Sequence, residues 1–519
     1  MIRRRWMTGI LLVALTATLS ACTATAPRSG QSDAEGHPDQ PRPTAPPLPP
    51  LTVLDASYPA AGVSVPGLRG QRILNSAGIS ARWADLPGAK EFNRKLAEVV
   101  KQQIEALTAE LGTDYTPEAP PAPAGLSDRG CVPGSTFRSA EQIVSDPDLA
   151  PPGTALTIVC DPVLAAGPHF GERLRFIRSH GGQVTSDTVE TLYTETGTDR
   201  VAREAELLDA ERLPDLYQQA EKLAAPIGQL TGALTPPEGA PLLRDHVSAI
   251  QFGPDGSLLL TVDQGFFAAH PRREDAPPPT PFSLRLSPQL AQKYLTDLGR
   301  AIASSIAQPW AGTPQVNAGQ AFVDCDLVPC LALTFDDGPS SNTPQLLQDL
   351  AAHDSAATFF LIGKNVAALP QVVADEVAAG HQLGNHTWGH PSLTKLPLEA
   401  ASKEISDTTA AIVSASGVSP ALVRPPYGDW NQVLQERIQL PFVLWDIDTQ
   451  DWREPPEEDL IRSAATDPDP GDIVLMHDIH ATTTAAIPKI LAQLRDRGFT
   501  LVTIDQLFDG AVPEVAYSR

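Results

Sequence analysis

Two aspartates stand side by side, Asp336 and Asp337, at the end of the apolar run Leu331–Phe335, and the chain then turns at Gly338-Pro339. Asp-Gly alone is an ordinary turn signal. What raises these residues above a turn is a second group, Asn385-His386-Thr387-Trp388-Gly389-His390, with imidazoles four positions apart. Such a pair faces one side if the segment makes a helical turn, although an isolated pair at this spacing is more often incidental. Two neutral nitrogens and one carboxylate make a three-ligand site with a position left for water, as catalytic zinc requires, and Asp337 can be that carboxylate.

Three further segments could complete the chemistry. Arg424-Pro425-Pro426-Tyr427-Gly428 offers a guanidinium that could orient the carboxylate that is not a ligand, against the blander reading of a rigid proline loop. Trp445-Asp446-Ile447-Asp448-Thr449-Gln450-Asp451-Trp452 crowds acids among aromatics, and its bland alternative is a polar strand end with Trp452 in the core. Leu475-Met476-His477-Asp478 places a histidine directly after an apolar strand, and His480 lies close by.

To converge, these segments need a scaffold. From residue 325 onward, strand candidates LALTF, ATFFLIG, HQLGN, ALVRP, FVLWDID, DIVLMH and TLVTI alternate with helical stretches, several ending at Gly380, Gly417 and Gly498. Alternation with apolar strands implies a parallel α/β sheet covered by helices, and seven repeats suggest a barrel. The candidate residues all fall just past the C-terminal ends of these strands, the face on which such barrels build their sites.

The motifs TFDDGP, HTWGH, RPPYG, DTQDW and LMH, in this order, resemble the five motifs of the polysaccharide deacetylase family, also called NodB-like or carbohydrate esterase family four. The resemblance covers residues 325–512 and implies a distorted (β/α)7 barrel that hydrolyses N-acetyl groups of chitin-like sugars or peptidoglycan, or O-acetyl groups of xylan. It implies Asp336 as base, Asp337, His386 and His390 as zinc ligands and His477 as acid. Arg424 would pair with Asp336, and Asp451 would orient His477. The backbone N–H of Tyr427 would hold the oxyanion, with Trp452 and Leu475 walling the acetyl pocket. Cobalt or another divalent ion could take the place of zinc. Amide hydrolysis calls for such parts, since it needs an activated water, a stabilised oxyanion and a proton for the departing amine.

Residues 53–318 read as an α+β accessory domain. Phe92, Leu96, Val100, Ile104, Leu107 and Leu111 recur at helical steps, and a Pro-rich break spans 116–125. Strand-like pieces are TALTIVC, RLRFIRS and VETLYTE. A turn at Asp255-Gly256 joins HVSAIQFGP to SLLLTVDQG, and LSPQLAQKYLTDLGRAIASSI reads as one closing helix. FNRKLAEVV, ETLYTETG and FGPDGSLLLTVD resemble the extracytoplasmic domain of lysozyme-sensing anti-sigma factors. This region carries no metal-spaced cluster, which favours a binding or spacer module over catalysis.

The formal net charge of −24 excludes a nucleic-acid binder and gives no pull toward an anionic surface. Anchoring would come from residues 1–22: Arg3, Arg4 and Arg5 precede an apolar core too short to span a bilayer. Leu19-Ser20-Ala21-Cys22 resembles a bacterial lipobox, which implies lipidation at Cys22 and an extracytoplasmic, membrane-anchored protein. Residues 23–52 are Pro-, Ser- and Gln-rich and read as an extended tether. Cys131, Cys160, Cys325 and Cys330 then form an even set; proximity pairs Cys325 with Cys330 and Cys131 with Cys160, among three connectivities. The sequence therefore points to a lipid-anchored, zinc-dependent deacetylase of peptidoglycan. A non-catalytic wall-sensing or inhibitor-binding lipoprotein and an O-acetyl xylan esterase are the alternatives.

Overall fold

Strand pairing begins at once in the computed structural model, which describes residues 51–54, 62–198, 200–231, 243–268 and 271–517. The signal segment, Cys22 and the tether up to residue 50 lie outside the described residues. Leu51 and Thr52, read as the end of the tether, already belong to strand β1, Leu51–Leu54.

The accessory region holds two sheets, each over a large buried cluster, with a smaller cluster around Ile143, Val159 and Ile177. Strands β2 (Arg69–Asn75), β3 (Ile79–Asp85), β4 (Leu156–Ala166), β5 (His169–His180), β6 (Gln183–Glu195) and β7 (Arg200–Arg203) form the first sheet, in that order. The helix Lys90–Leu111 buries Phe92, Leu96, Val100, Ile104 and Leu107 in the same core as this sheet. Leu111, the last of the periodic series, is 54% exposed because the helix ends there in a left-handed cap at Gly112. Strands β8 (Val247–Phe252), β9 (Leu258–Val262) and β10 (Phe282–Leu286) form a second sheet in the order β1-β10-β9-β8. The expected single closing helix is two, Pro288–Tyr294 and Asp297–Ser305. The break has a local cause: Leu295 is extended, and the Thr296 side chain accepts from Gly299 N–H while its own N–H goes to Leu207 O. Cys131 is bonded to Cys160, and Cys325 to Cys330.

The C-terminal region supplies β11 (Cys330–Asp336), β12 (Thr358–Leu361), β13 (Gln382–Asn385), β14 (Phe442–Val443), β15 (Ile447–Asp448), β16 (Ile473–His477), β17 (Thr500–Leu501) and β18 (Val515–Ala516). A parallel ladder runs β13-β12-β11-β16-β15, with β17 beside the start of β11. Two expected strands are weaker than their apolar runs suggest. ALVRP contributes a single bridging residue, Val423, between Asn385 and Phe442, and FVLWDID is split into β14 and β15. Pro425 and Pro426 cannot donate to a ladder, and the Arg424 guanidinium takes the carbonyls of Val443 and Leu444 at 3.1 and 2.8 Å. The joins through Val423 are therefore isolated bridges, not a continuous closed ladder. Helices Thr343–Ala352, Pro370–Ala378, Leu398–Ser416 and Ala481–Asp496 turn apolar side chains to the sheet. Gly380, Gly417 and Gly498 follow three of them at φ between 75 and 92°.

The two regions meet at the ends where the strands begin. Tyr115 donates to Leu327 O ahead of β11, Arg69 pairs with Asp354 ahead of β12, and Arg129 donates to Phe499 O ahead of β17. The Pro-rich break is packed into this junction, with Ala119 O and Pro120 O accepting from Arg497. The opposite ends, carrying Asp336, Asn385 and His477, are left to the site.

Candidate active site

Asp336 is the last residue of β11 and points inward, 3% exposed, while Asp337 lies beyond the strand at φ 71°. That change of backbone region turns the two carboxylates differently, with His386 Nε2 between them, 3.6 Å from Asp336 Oδ2 and 3.5 Å from Asp337 Oδ1. Asp336 Oδ1 accepts from Arg424 Nη1 at 2.9 Å; Asp337 Oδ1 sits 3.5 Å from both His386 Nε2 and His390 Nε2. The three ligand-type groups lie within 4.8 Å of one another.

The histidines do not converge through a helical turn, as their spacing suggests. Residues 386–390 form an irregular loop with Thr387 at φ 67° and His390 at φ 65°. Asn385 Oδ1 accepts from Thr387 N–H, and Thr387 Oγ1 accepts from His390 N–H, so the loop is held by its own side chains. Asp337, Thr387, His390 and Tyr427 all adopt left-handed backbone, at φ 63–71°. Strain of this kind, about 1–3 kcal/mol per residue, clusters at functional sites and persists where surrounding structure enforces it.

Each imidazole is fixed by its far nitrogen. His386 Nδ1 lies 2.6 Å from Arg424 O, and His390 Nδ1 lies 3.2 Å from Tyr427 Oη. These contacts leave both Nε2 atoms facing Asp337, as outer partners of metal-bound histidines do. Burial, above all, lowers the His386 pKa to about 3 and keeps the ring neutral, the form that ligates. Asp337 Oδ1 is buried and has no hydrogen-bond partner. A buried acceptor of that kind is costly unless a cation completes it, so the residues present fit a divalent metal.

Arg424 is fully buried and joins Asp336, Thr334 and two carbonyls, with its guanidinium 4.2 Å from the Phe360 ring. Burial raises the pKa of Asp336, and the charges of Arg424 and His477 oppose that rise. Across the site, His477 Nδ1 lies 2.8 Å from Asp451 Oδ1, and Asp451 Oδ2 accepts from His477 N–H and Thr483 Oγ1. Burial disfavours the His477 cation. The Asp451 hydrogen bond and the fields of Asp336, Asp451 and Asp337 outweigh it and lift the pKa to about 9.

Leu475 is buried two positions before His477 on β16. Trp452 is 49% exposed, not core, and Arg453 lies 4.5 Å over its ring. Tyr427 is 67% exposed with its ring 4.7 Å from that of His390. The His480 ring is 5.9 Å from His477. Asp446 and Asp448 are drawn into local structure, accepting from Ile473 N–H and Gln450 N–H.

Several supports escape a reading of motifs. Asn365 donates to Asp337 O at 2.7 Å, Glu404 accepts from the N–H groups of Trp388 and Gly389, and Thr483 holds Asp451. Asn365 and Thr483 lie 28 and 32 residues from their partners, and Glu404 lies 16 and 15 from its two, beyond any spacing rule.

Residues 325–442 match the family described as Polysaccharide deacetylase. The chain is 42% identical over 179 residues to the peptidoglycan-N-acetylglucosamine deacetylase PgdA of Listeria monocytogenes, covering 34% of this chain and 38% of the relative. It is 39% identical over 178 residues to the peptidoglycan-N-acetylmuramic acid deacetylase PdaC of Bacillus subtilis, again covering 34% and 38%. With the chitooligosaccharide deacetylase of Rhizobium leguminosarum bv. trifolii it shares 36% identity over 192 residues, covering 34% of this chain and 89% of the relative. The chain thus spans 38% of the length of the first two relatives.

Proposed function

The chain belongs to the polysaccharide deacetylase family, and from that premise we propose that it is a metal-dependent hydrolase removing N-acetyl groups from peptidoglycan amino sugars. One observation carries the reading: Asp336 is paired with Arg424 through one oxygen and has the other 3.6 Å from His386 Nε2, beside the clustered Asp337, His386 and His390, with the Asp451-His477 pair across from it. The choice of substrate is supported by the relatives named as peptidoglycan deacetylases, PgdA and PdaC among them. The architecture proposed for the sheet is a distorted seven-stranded barrel, in which Val423 stands for one strand.

Asp337, His386 and His390 would hold the metal, zinc by the nature of the donors, with cobalt able to replace it. Once bound, such an ion polarises a carbonyl and makes water a stronger nucleophile. Asp336 takes the water proton, and the Arg424 contact fixes its orientation. His477, protonated and aligned by Asp451, gives a proton to the departing amine nitrogen. The backbone N–H of Tyr427 meets the oxyanion, and Trp452 and Leu475 border the acetyl methyl. The same arrangement could attack an ester, so O-acetylated xylan is the control substrate.

Acetate release from N-acetylated wall fragments tests the reading. It should vanish with a chelator and return with zinc. Acetate released from acetylated xylan but not from wall fragments would transfer the chain to the esterase reading, and release from neither would favour a wall-sensing lipoprotein. Attachment through a lipidated Cys22 is part of the proposal: incorporation of labelled fatty acid should disappear in Cys22→Ala.

A further inference from the structure

A cavity of about 390 Å³ lies where the accessory region meets the segments leading into the strands, on the side away from Asp336. Arg69, Asp85, Arg129, Asp354, Arg495 and Thr500 are among its walls. Arg129 is 7% exposed, and its hydrogen bonds all go to neutral oxygens. Nη1 reaches Thr500 Oγ1 at 3.4 Å, and Nη2 reaches the carbonyls of Arg495 and Phe499 at 3.1 and 2.6 Å. Its Nε is buried without a partner. Arg69 gives Nε and Nη2 to the Asp354 carboxylate at 2.8 and 2.9 Å, and its Nη1 is likewise buried without a partner.

The charges around this space do not balance. Arg69, Arg129 and Arg495 face Asp354, already engaged by Arg69, and Asp85, which accepts from Gln71. A guanidinium stays charged in a protein, and leaving one buried without a carboxylate is strongly unfavourable. An unmade bond at a buried N–H adds to that cost. Both N–H groups belong to residues that line the cavity, whose three guanidinium groups outnumber its two aspartates, and an occupant of opposite charge would offset that excess. Planar guanidinium groups suit the oxygens of a carboxylate or phosphate.

We propose that the junction cavity is a binding site for a small oxyanion, a carboxylate or phosphate group held by the guanidinium groups of Arg129 and Arg69. Occupancy would tie strand β2 and the loop carrying Arg129 to the base of the C-terminal sheet, and so stabilise the whole folded chain by mass action.

The test is thermal unfolding of the metal-loaded full chain in inorganic phosphate, in succinate, and in chloride at matched ionic strength. A saturable rise in Tm is expected with phosphate or succinate, surviving removal of the metal and weakened at least tenfold in apparent affinity in Arg129→Gln and in Arg69→Gln. A stronger phosphate response identifies a phosphate source, a stronger succinate response a carboxylate source. Acetate release should be unchanged in both variants. A response that disappears with the metal, or that persists undiminished in Arg129→Gln, would belong elsewhere and overturn the proposal. Should Arg129→Gln not fold, Arg69→Gln and calorimetric titration of phosphate into the unmodified chain decide, and the lack of a single saturable site there refutes it.

Discussion

Asp336 and Asp337 share a charge, a sequence position and a strand end, yet their surroundings divide their work. Asp336 pairs with Arg424 and meets one imidazole at 3.6 Å, whereas Asp337 faces two imidazoles and no guanidinium. Asp336→Asn should therefore keep its metal, measured by metal analysis, while acetate release falls by about 10²–10⁴. His386→Ala should lose both metal and turnover, and equal metal loss in the two variants would remove Asp336 from the role of base. Asp451 makes a separate prediction. His477 must be protonated to act as acid, so the rate falls as pH rises through its pKa, which the Asp451 contact raises. A cation beside Asp337 opposes that rise, but the direction of the Asp451 effect remains. Asp451→Asn should move the alkaline limb of kcat/KM to lower pH, by about 1–3 units, and an unmoved limb would assign that limb to another group.

Among the elements, the loops at the strand ends do what no regular structure could. The motif residues were legible because their types are unusual after apolar runs, whereas the way the His386–His390 segment folds was not. Its spacing suggests a helical turn, but left-handed residues at Thr387 and His390 aim the rings instead. The β2–β3 hairpin also goes unannounced, since Gln71, Arg82 and Asp85 are buried polar residues that spoil an apolar alternation. Tyr427 closes this layer by touching His390 Nδ1 through its hydroxyl. Tyr427→Phe should weaken metal binding by about 10–100-fold in a competition titration, as loss of an outer partner does. Arg424 spans Thr334, Asp336, Val443 and Leu444, knitting β11 to the segment around β14. Replacing it with methionine leaves Asp336 buried and unpaired, and denaturant unfolding should show about 3–5 kcal/mol of lost stability.

At the level of the whole molecule, the separation into accessory and catalytic parts, natural from the Pro-rich break and the change of sequence texture, does not describe the core. The described residues, from 51 to 517, all belong to one compact unit. Trp83 and Phe92 from the accessory region share a buried cluster with Leu327, Ala332, Phe360, Val443 and Ile473. Composition cannot reveal such sharing, because each side has enough apolar residues for a core of its own. A shared core couples the stability of the site to residues on the far side of the junction. Phe92 is fully buried, so Phe92→Ala should remove about 3–5 kcal/mol, although it touches no motif residue described above. Loss of acetate release on heating should then shift downward together with loss of helical circular dichroism, in one transition. If the activity of Phe92→Ala instead survived to the wild-type temperature while part of the helical signal melted early, the two regions would be independent folding units joined by a surface contact.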